Sequence, residues 1–200
     1  MPAHGRTQYH VTLEILTAAE FDKNNLYIKF DVQVPEELVC KDIVQGRTHT
    51  SESVSIEGAD QWHFGHLIEF TLETDSKTDP VPVKLFLEAI SSDWWGRHRT
   101  EGYTYLHIPL NPGCYTKNLR CKRPEESNTV EGNSRRFFLG GCHLIKDLNV
   151  LLDPQLDNAN FAYTTTGTIA IRWNIISHCQ IGAISSAIPD PKYGTSTASA

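Results

Sequence analysis

Apolar and polar residues alternate with a period of two through much of this chain, the pattern of strands whose successive side chains point to opposite faces of a sheet. Over residues 9–15 the odd positions Tyr9, Val11, Leu13 and Ile15 are apolar, and His10, Thr12 and Glu14 between them are polar. Residues 26–34 repeat the pattern, with Leu26, Ile28, Phe30, Val32 and Val34 set against Tyr27, Lys29, Asp31 and Gln33. Segments 64–73, 83–90 and 168–175 behave likewise, the last opposing Ile169, Ile171, Trp173 and Ile175 to Arg172 and Asn174. Weaker alternation predicts further strands over 39–45, 102–110, 114–122 and 137–144.

No long stretch places apolar residues at i, i+3, i+4 and i+7, so helices are expected to be short or absent. Asp79-Pro80, Asn111-Pro112-Gly113, Gly140-Gly141 and Asp153-Pro154 supply turn formers between the runs. The predicted fold class is all-β, an antiparallel β-sandwich of about eight strands in two packed sheets. Two polar segments, 46–60 and 117–136, read as long loops or hairpin insertions. The tail, rich in Pro, Ser, Thr and Ala, offers little to bury and reads as disordered. The expected organisation is a disordered or vector-derived N-terminus at 1–7, one domain over 8–178 and a disordered tail at 179–200.

Composition permits this: 40% of the 200 residues are hydrophobic and 21% charged, ordinary for a chain that buries a core. The formal net charge of −6 sets the whole molecule against nucleic acid and anionic lipid unless a local patch overrides it. Cys40, Cys114, Cys121, Cys142 and Cys179 are odd in number and contain no Cys-x-x-Cys pair. They read as free thiols of a reducing compartment, most of them buried as small hydrophobes, with no zinc site implied. The N-terminal residues lack the apolar core of a signal peptide, and no run reaches the length of a membrane span, so a soluble intracellular chain is expected.

The hydrolase elbow, the phosphate loop, the dinucleotide fingerprint and the His-Glu-x-x-His motif are all missing, which disfavours the commonest sequence-visible enzymes. His63 and His66 suggest a metal pair, but three residues apart on a strand they face opposite sides. Cys142 and His143 suggest a nucleophile with its base, yet adjacent strand residues point apart, and a structural role is preferred. The most unusual stretch runs from Ser91 through Asp93, Trp94, Trp95, Gly96, Arg97, His98 and Arg99 to Tyr103. It lies between two strands, so it belongs to a loop at one end of the sandwich. The two tryptophans are either an exposed anchor for a partner or membrane, or at least one folds back on the core. Arg97 and Arg99 add cationic donors beside them. A second basic region, 117–136, carries Lys117, Arg120, Lys122, Arg123, Arg135 and Arg136 against Glu125, Glu126 and Glu131, a local balance of +3. It suits carboxylates or lipid headgroups if those cations converge.

Leu85-Phe86-Leu87-Glu88, followed by Asp93-x-Trp95-x-Arg97-x-Arg99-x-Glu101-Gly102-Tyr103, resembles the heart of the B9 domain. Pro112-Gly113, Arg123-Pro124, Arg135-Arg136-Phe137-Phe138-x-Gly140-Gly141, Asp147-Leu148 and Thr165-Thr166-Gly167-Thr168 extend the resemblance toward one longer member of that family rather than its two shorter paralogues. It spans residues 9–177. The resemblance implies a C2-like sandwich at the ciliary transition zone, where B9 proteins join one another in a diffusion barrier. Calcium binding, frequent in the wider C2 class, needs several loop carboxylates. Here Asn25, Ser91 and Arg99 stand at the aligned acid positions beside Asp93, and Asp22 with Asp93 is too sparse a set, so no calcium switch and no cofactor is expected. The implied function is a non-catalytic assembly module whose partners are the two other B9-domain proteins, with Trp94, Trp95, Arg97 and Arg99 as contacts. The alternative is a calcium-independent peripheral lipid-binding domain using the same tryptophans with Arg120, Lys122, Arg123, Arg135 and Arg136 for headgroups. Neither nucleic acid nor a small-molecule substrate is expected.

Overall fold

The computed structural model describes residues 6–75, 81–126, 130–131, 134, 138, 145, 147–152 and 161–180. Ten strands lie in these segments: β1 (Arg6–Ala19), β2 (Leu26–Gln33), β3 (Val39–Cys40), β4 (Gln45–Arg47), β5 (Val54–Ile56), β6 (Ala59–Thr74), β7 (Val83–Ser92), β8 (His98–Ile108), β9 (Gly113–Glu126) and β10 (Phe161–Gln180). Hydrogen bonding orders them β3-β6-β1-β10-β9-β8-β7-β2-β4, with β5 paired to β6. β8 and β9 meet at the pair Tyr103 and Lys122, whereas β9 and β10 pair along most of their length. The antiparallel sheet therefore curls at that junction, and its two halves face each other across the core. Val11, Leu13 and Ile15 of β1, Ile169 and Ile171 of β10, Leu85 and Leu87 of β7 and Ile28 of β2 meet there at 1% exposure or less. Each such side chain contributes about 2 kcal/mol relative to an exposed position.

The five long alternating segments are strands, as the period predicts. The weak segment 39–45 is instead two short pieces, β3 and β4, that pair with opposite halves of the sandwich. The expected loop 46–60 includes part of β4 and the hairpin of β5 with β6, whose two-residue turn holds Glu57 and Gly58 at φ 53° and 84°. The expected loop from 117 is strand as far as Glu126. Its outward Arg120 and Lys122 disguise the inward Leu119 and Cys121, which are buried. Of the predicted strand 137–144 only Phe138 is described, and it is helical rather than extended; Cys142 and His143 lie outside the described residues.

Bulges coil the sheet. From the level of Ile15 to that of Ala18, β10 runs back from Ile171 to Ile169 and β6 runs back from His66 to Trp62, so across β10, β1 and β6 each successive strand carries one more residue. Alternation in β1 breaks at Leu16, and Ala18 rather than Thr17 returns to the core. Gly65, at φ 54°, takes the left-handed conformation that this stretch of β6 requires. A second buried group lies on the outer face of β2, β7 and β8, where Tyr27 stands opposite Ile90, and Phe86 opposite Tyr105. Tyr27, Phe86, Ile90 and Tyr103 are each at most 8% exposed yet stand apart from the central cluster. The Tyr103 hydroxyl accepts the Ile145 N–H at 3.3 Å, so the chain beyond β9 reaches this face.

The expectation that most cysteines are buried is corrected. Of the four described, all free thiols, Cys121 is buried, Cys40 half-buried, and Cys114 and Cys179 exposed. The last two occupy outward positions, Cys114 opposite Asn174 and Cys179 opposite Thr7, where the strand period overrides the preference of the residue type. Burial pushes the Cys121 thiol up to about 12.

Candidate functional site

β7 and β8 form a hairpin whose tip is Asp93-Trp94-Trp95-Gly96-Arg97. Asp at the first position and Gly at the fourth fit a tight turn. The Gly96 N–H reaches the Asp93 carbonyl at 2.9 Å, and the Asp93 N–H reaches the Arg97 carbonyl at 3.0 Å. Gly96 is left-handed at φ 73°, as a three-residue hairpin loop requires. Trp94 and Trp95 take the two central positions and point away from the body, 81% and 67% exposed. This resolves the open alternative: neither caps the core. Their rings lie 4.9 Å apart, and the Arg97 guanidinium sits 4.7 Å above the Trp95 ring.

Asp93 fixes this tip. Its Oδ1 accepts the backbone N–H groups of Trp95 at 3.1 Å and Arg97 at 2.9 Å, and its Oδ2 accepts Arg97 Nε at 2.6 Å. Arg99 stands 3.6 Å from the same Oδ2, its side chain only 12% exposed. Desolvation pushes the Asp93 carboxyl up, but the hydrogen bonds and charge of Arg97 and the Trp95 N–H outweigh it and hold the group below its ordinary value. Asn25 is occupied as well: left-handed at φ 56°, its carbonyl accepts the Ser92 N–H at 2.9 Å. Two of the positions aligned with calcium-binding acids therefore hold turns together. Among the described residues, no group of three or more His, Cys, Asp or Glu is placed to hold a metal ion.

Behind the tip lies a buried polar group that periodicity does not reveal. The Glu101 side chain, 2% exposed, accepts the Ser91 hydroxyl at 2.6 Å and lies 3.5 Å from Arg123. Glu101 is the extra residue of the β8 bulge between Ala89 and Ile90, so it turns inward where strict alternation would not place it. The bulge is invisible to a period-two reading; a Glu one step from Gly102 is the faint signal that remains.

The expected basic patch divides. Arg123 turns toward Glu101, while Arg120 and Lys122 are exposed on the outer side of β9. Arg135 and Arg136 lie outside the described residues. His63 is exposed and His66 packs on Phe30 with ring centroids 5.5 Å apart, an arrangement of packing rather than ligation.

Residues 9–176 match the family model B9-C2, described as ciliary basal body-associated, B9 protein. Tectonic-like complex member MKS1 of Homo sapiens is 29% identical over 202 residues, covering 94% of this chain and 36% of that protein. B9 domain-containing protein 2 of Xenopus laevis is 26% identical over 157 residues, covering 78% of this chain and 79% of that one. Among solved structures, a C2 domain of plant Extended Synaptotagmin 1 aligns at TM-score 0.43 and 11% identity, covering 88% of this chain and 96% of that chain. The chain thus spans about a third of the length of the human protein it matches.

Proposed function

This chain belongs to the family of ciliary basal body-associated B9 proteins, and from that premise we propose that it is a non-catalytic assembly domain that binds other B9-domain chains at the ciliary transition zone. Its partners in this reading are the two other B9-domain proteins, and its product is a scaffold that supports cilium assembly and the diffusion barrier. The observation that carries the reading is the tip of the β7–β8 hairpin, where two adjacent tryptophans stand exposed on a turn pinned by Asp93. Large aromatic side chains held in one conformation lose little entropy on docking and dominate binding energy when desolvated.

The electrostatics favour a protein partner over a bilayer. Arg97 and Arg99 share the single carboxylate of Asp93, and Arg123 faces Glu101, so each of these cations already has an anionic neighbour. Arg120 and Lys122 remain exposed for headgroups in the lipid-binding alternative.

Replacing both tryptophans, Trp94→Ala with Trp95→Ala, tests the assignment. Affinity for B9 domain-containing protein 2 falls at least about 30-fold, which corresponds to about 2 kcal/mol for loss of a central anchor. The urea midpoint stays unchanged, because both side chains project from the body. Retention of partner binding together with loss of sedimentation on anionic vesicles would assign the tip to lipid.

A further inference from the structure

One side of the sandwich is closed by side chains rather than by a strand. β6 pairs with β1 along most of its length, but on its other side it meets β5 at residues 59–61 and β3 at residues 72–73. Between these ends, residues 62–71 have no strand partner on that side among the described residues. The chain connecting β3 to β5 leaves β6 there and runs along β2 instead. The Val32 N–H donates to the Val44 carbonyl at 2.9 Å, the Thr48 N–H to the Ile28 carbonyl at 2.8 Å, and Leu26 and Ser51 exchange N–H bonds at 2.9 and 2.8 Å. The Ile28 N–H also donates to the Thr48 hydroxyl at 3.0 Å. Residues 41–53 thus form a strap tied to one half of the sandwich and lying beside the edge of the other.

Two reciprocal ring contacts cross this seam. His66 of β6 packs on Phe30 of β2 at 5.5 Å, and His49 of the strap packs on Phe64 of β6 at 5.8 Å. Gly46 makes the first possible, since a Cβ there would lie 2.7 Å from Phe30 Cζ. Each histidine therefore rests on a buried phenylalanine belonging to the opposite half. We propose that these two contacts form a clasp that holds the strap 41–53 against the edge of β6, with His66 as its proton-sensitive member: closed when the His66 ring is neutral and released when it gains a proton.

The surroundings fit that assignment. The charged and titratable residues nearby in sequence are His63 and Glu69 on β6, Lys29 and Asp31 on β2, and Arg47 and Glu52 on the strap, and Glu14 of β1 stands opposite Leu67. Glu14 is paired with Arg172 on the outer face, and Arg47 lies over the Tyr27 ring at 6.0 Å. Burial lowers the pKa of His66, and the charge of His49 lowers it further. A histidine whose folded pKa lies below its unfolded value stabilises the closed form above the unfolded pKa, and loses that contribution as pH falls toward the folded one. Release would uncover the N–H and C=O row of residues 62–71, a surface that recruits extended strands.

Amide hydrogen exchange across residues 62–71, corrected for intrinsic exchange rates, tests the clasp. Protection there falls about tenfold between about pH 7.5 and about pH 5.5, while β10 stays protected. The doubly substituted chain, His49→Phe with His66→Phe, keeps both ring contacts without a titratable nitrogen, and its protection is flat over the same range. An equal fall in both chains, or no fall in the native one, overturns the proposal. Should the double variant fail to fold, imidazole titration of the native chain by NMR decides: the loss of protection tracks the His66 midpoint if the clasp exists, and is independent of it if it does not.

Discussion

Asp93 and Glu101 are both carboxylates of the β7–β8 hairpin, and burial separates what they do. Asp93 organises an exposed turn through hydrogen bonds that, together with the charge of Arg97, outweigh the desolvation of its carboxyl group. Glu101 is almost wholly removed from water, and the Ser91 hydroxyl and Arg123 are among the groups that replace it. Arg123→Ala removes one of the partners of Glu101 and is expected to cost about 1–3 kcal/mol in urea unfolding, the loss typical of taking away one partner of a buried polar group. Arg120→Ala, on the exposed side of the same strand, should stay within about 0.5 kcal/mol. Equal effects would mean that Glu101 does not rely on Arg123. Residue identity alone made the two arginines look alike, and both read as surface cations. The difference is set by strand parity, which places Arg123 on the inward side with Cys121. The exposure of Trp94 and Trp95 was equally undecidable from residue type, although Asp93 and Gly96 at first and fourth positions already carried the turn that projects them.

At the scale of the element, long strands declare themselves and short ones do not. β1, β2, β6, β7 and β10 each bury one face over many residues, which imprints several alternations on the sequence. β3, β4 and β5 are two or three residues long, too short to show a period, and are fixed by the strand they lie against. Bulges erase the pattern as well, since one added residue reverses the parity that follows it. The bulge of β10 between Thr165 and Thr168 contains Gly167, where a Cβ would lie 2.7 Å from the Ala19 carbonyl oxygen and 2.6 Å from the Phe21 ring. The backbone oxygen cannot move aside as a flexible side chain would. Gly167→Ala should therefore destabilise the fold by about 1–3 kcal/mol, read as a lowered thermal midpoint. An unchanged midpoint would show that β1 and β10 can separate locally at no cost.

For the molecule as a whole, composition and period together gave the all-β antiparallel architecture, and the motif run from Leu85 to Tyr103 pointed to the family. The curl of one continuous sheet was not readable, because it depends on β8 and β9 diverging after a single pair while β9 and β10 remain joined. With a net charge of −6 and the tip arginines already beside Asp93, the proposed docking rests on the exposed aromatic surface of Trp94 and Trp95. The most direct test is co-expression of this chain with B9 domain-containing protein 2, followed by size-exclusion chromatography with in-line mass measurement. The account predicts a shared peak at the summed mass, abolished by replacing Trp94 and Trp95 with alanine. Separate peaks for two well-folded chains would contradict it.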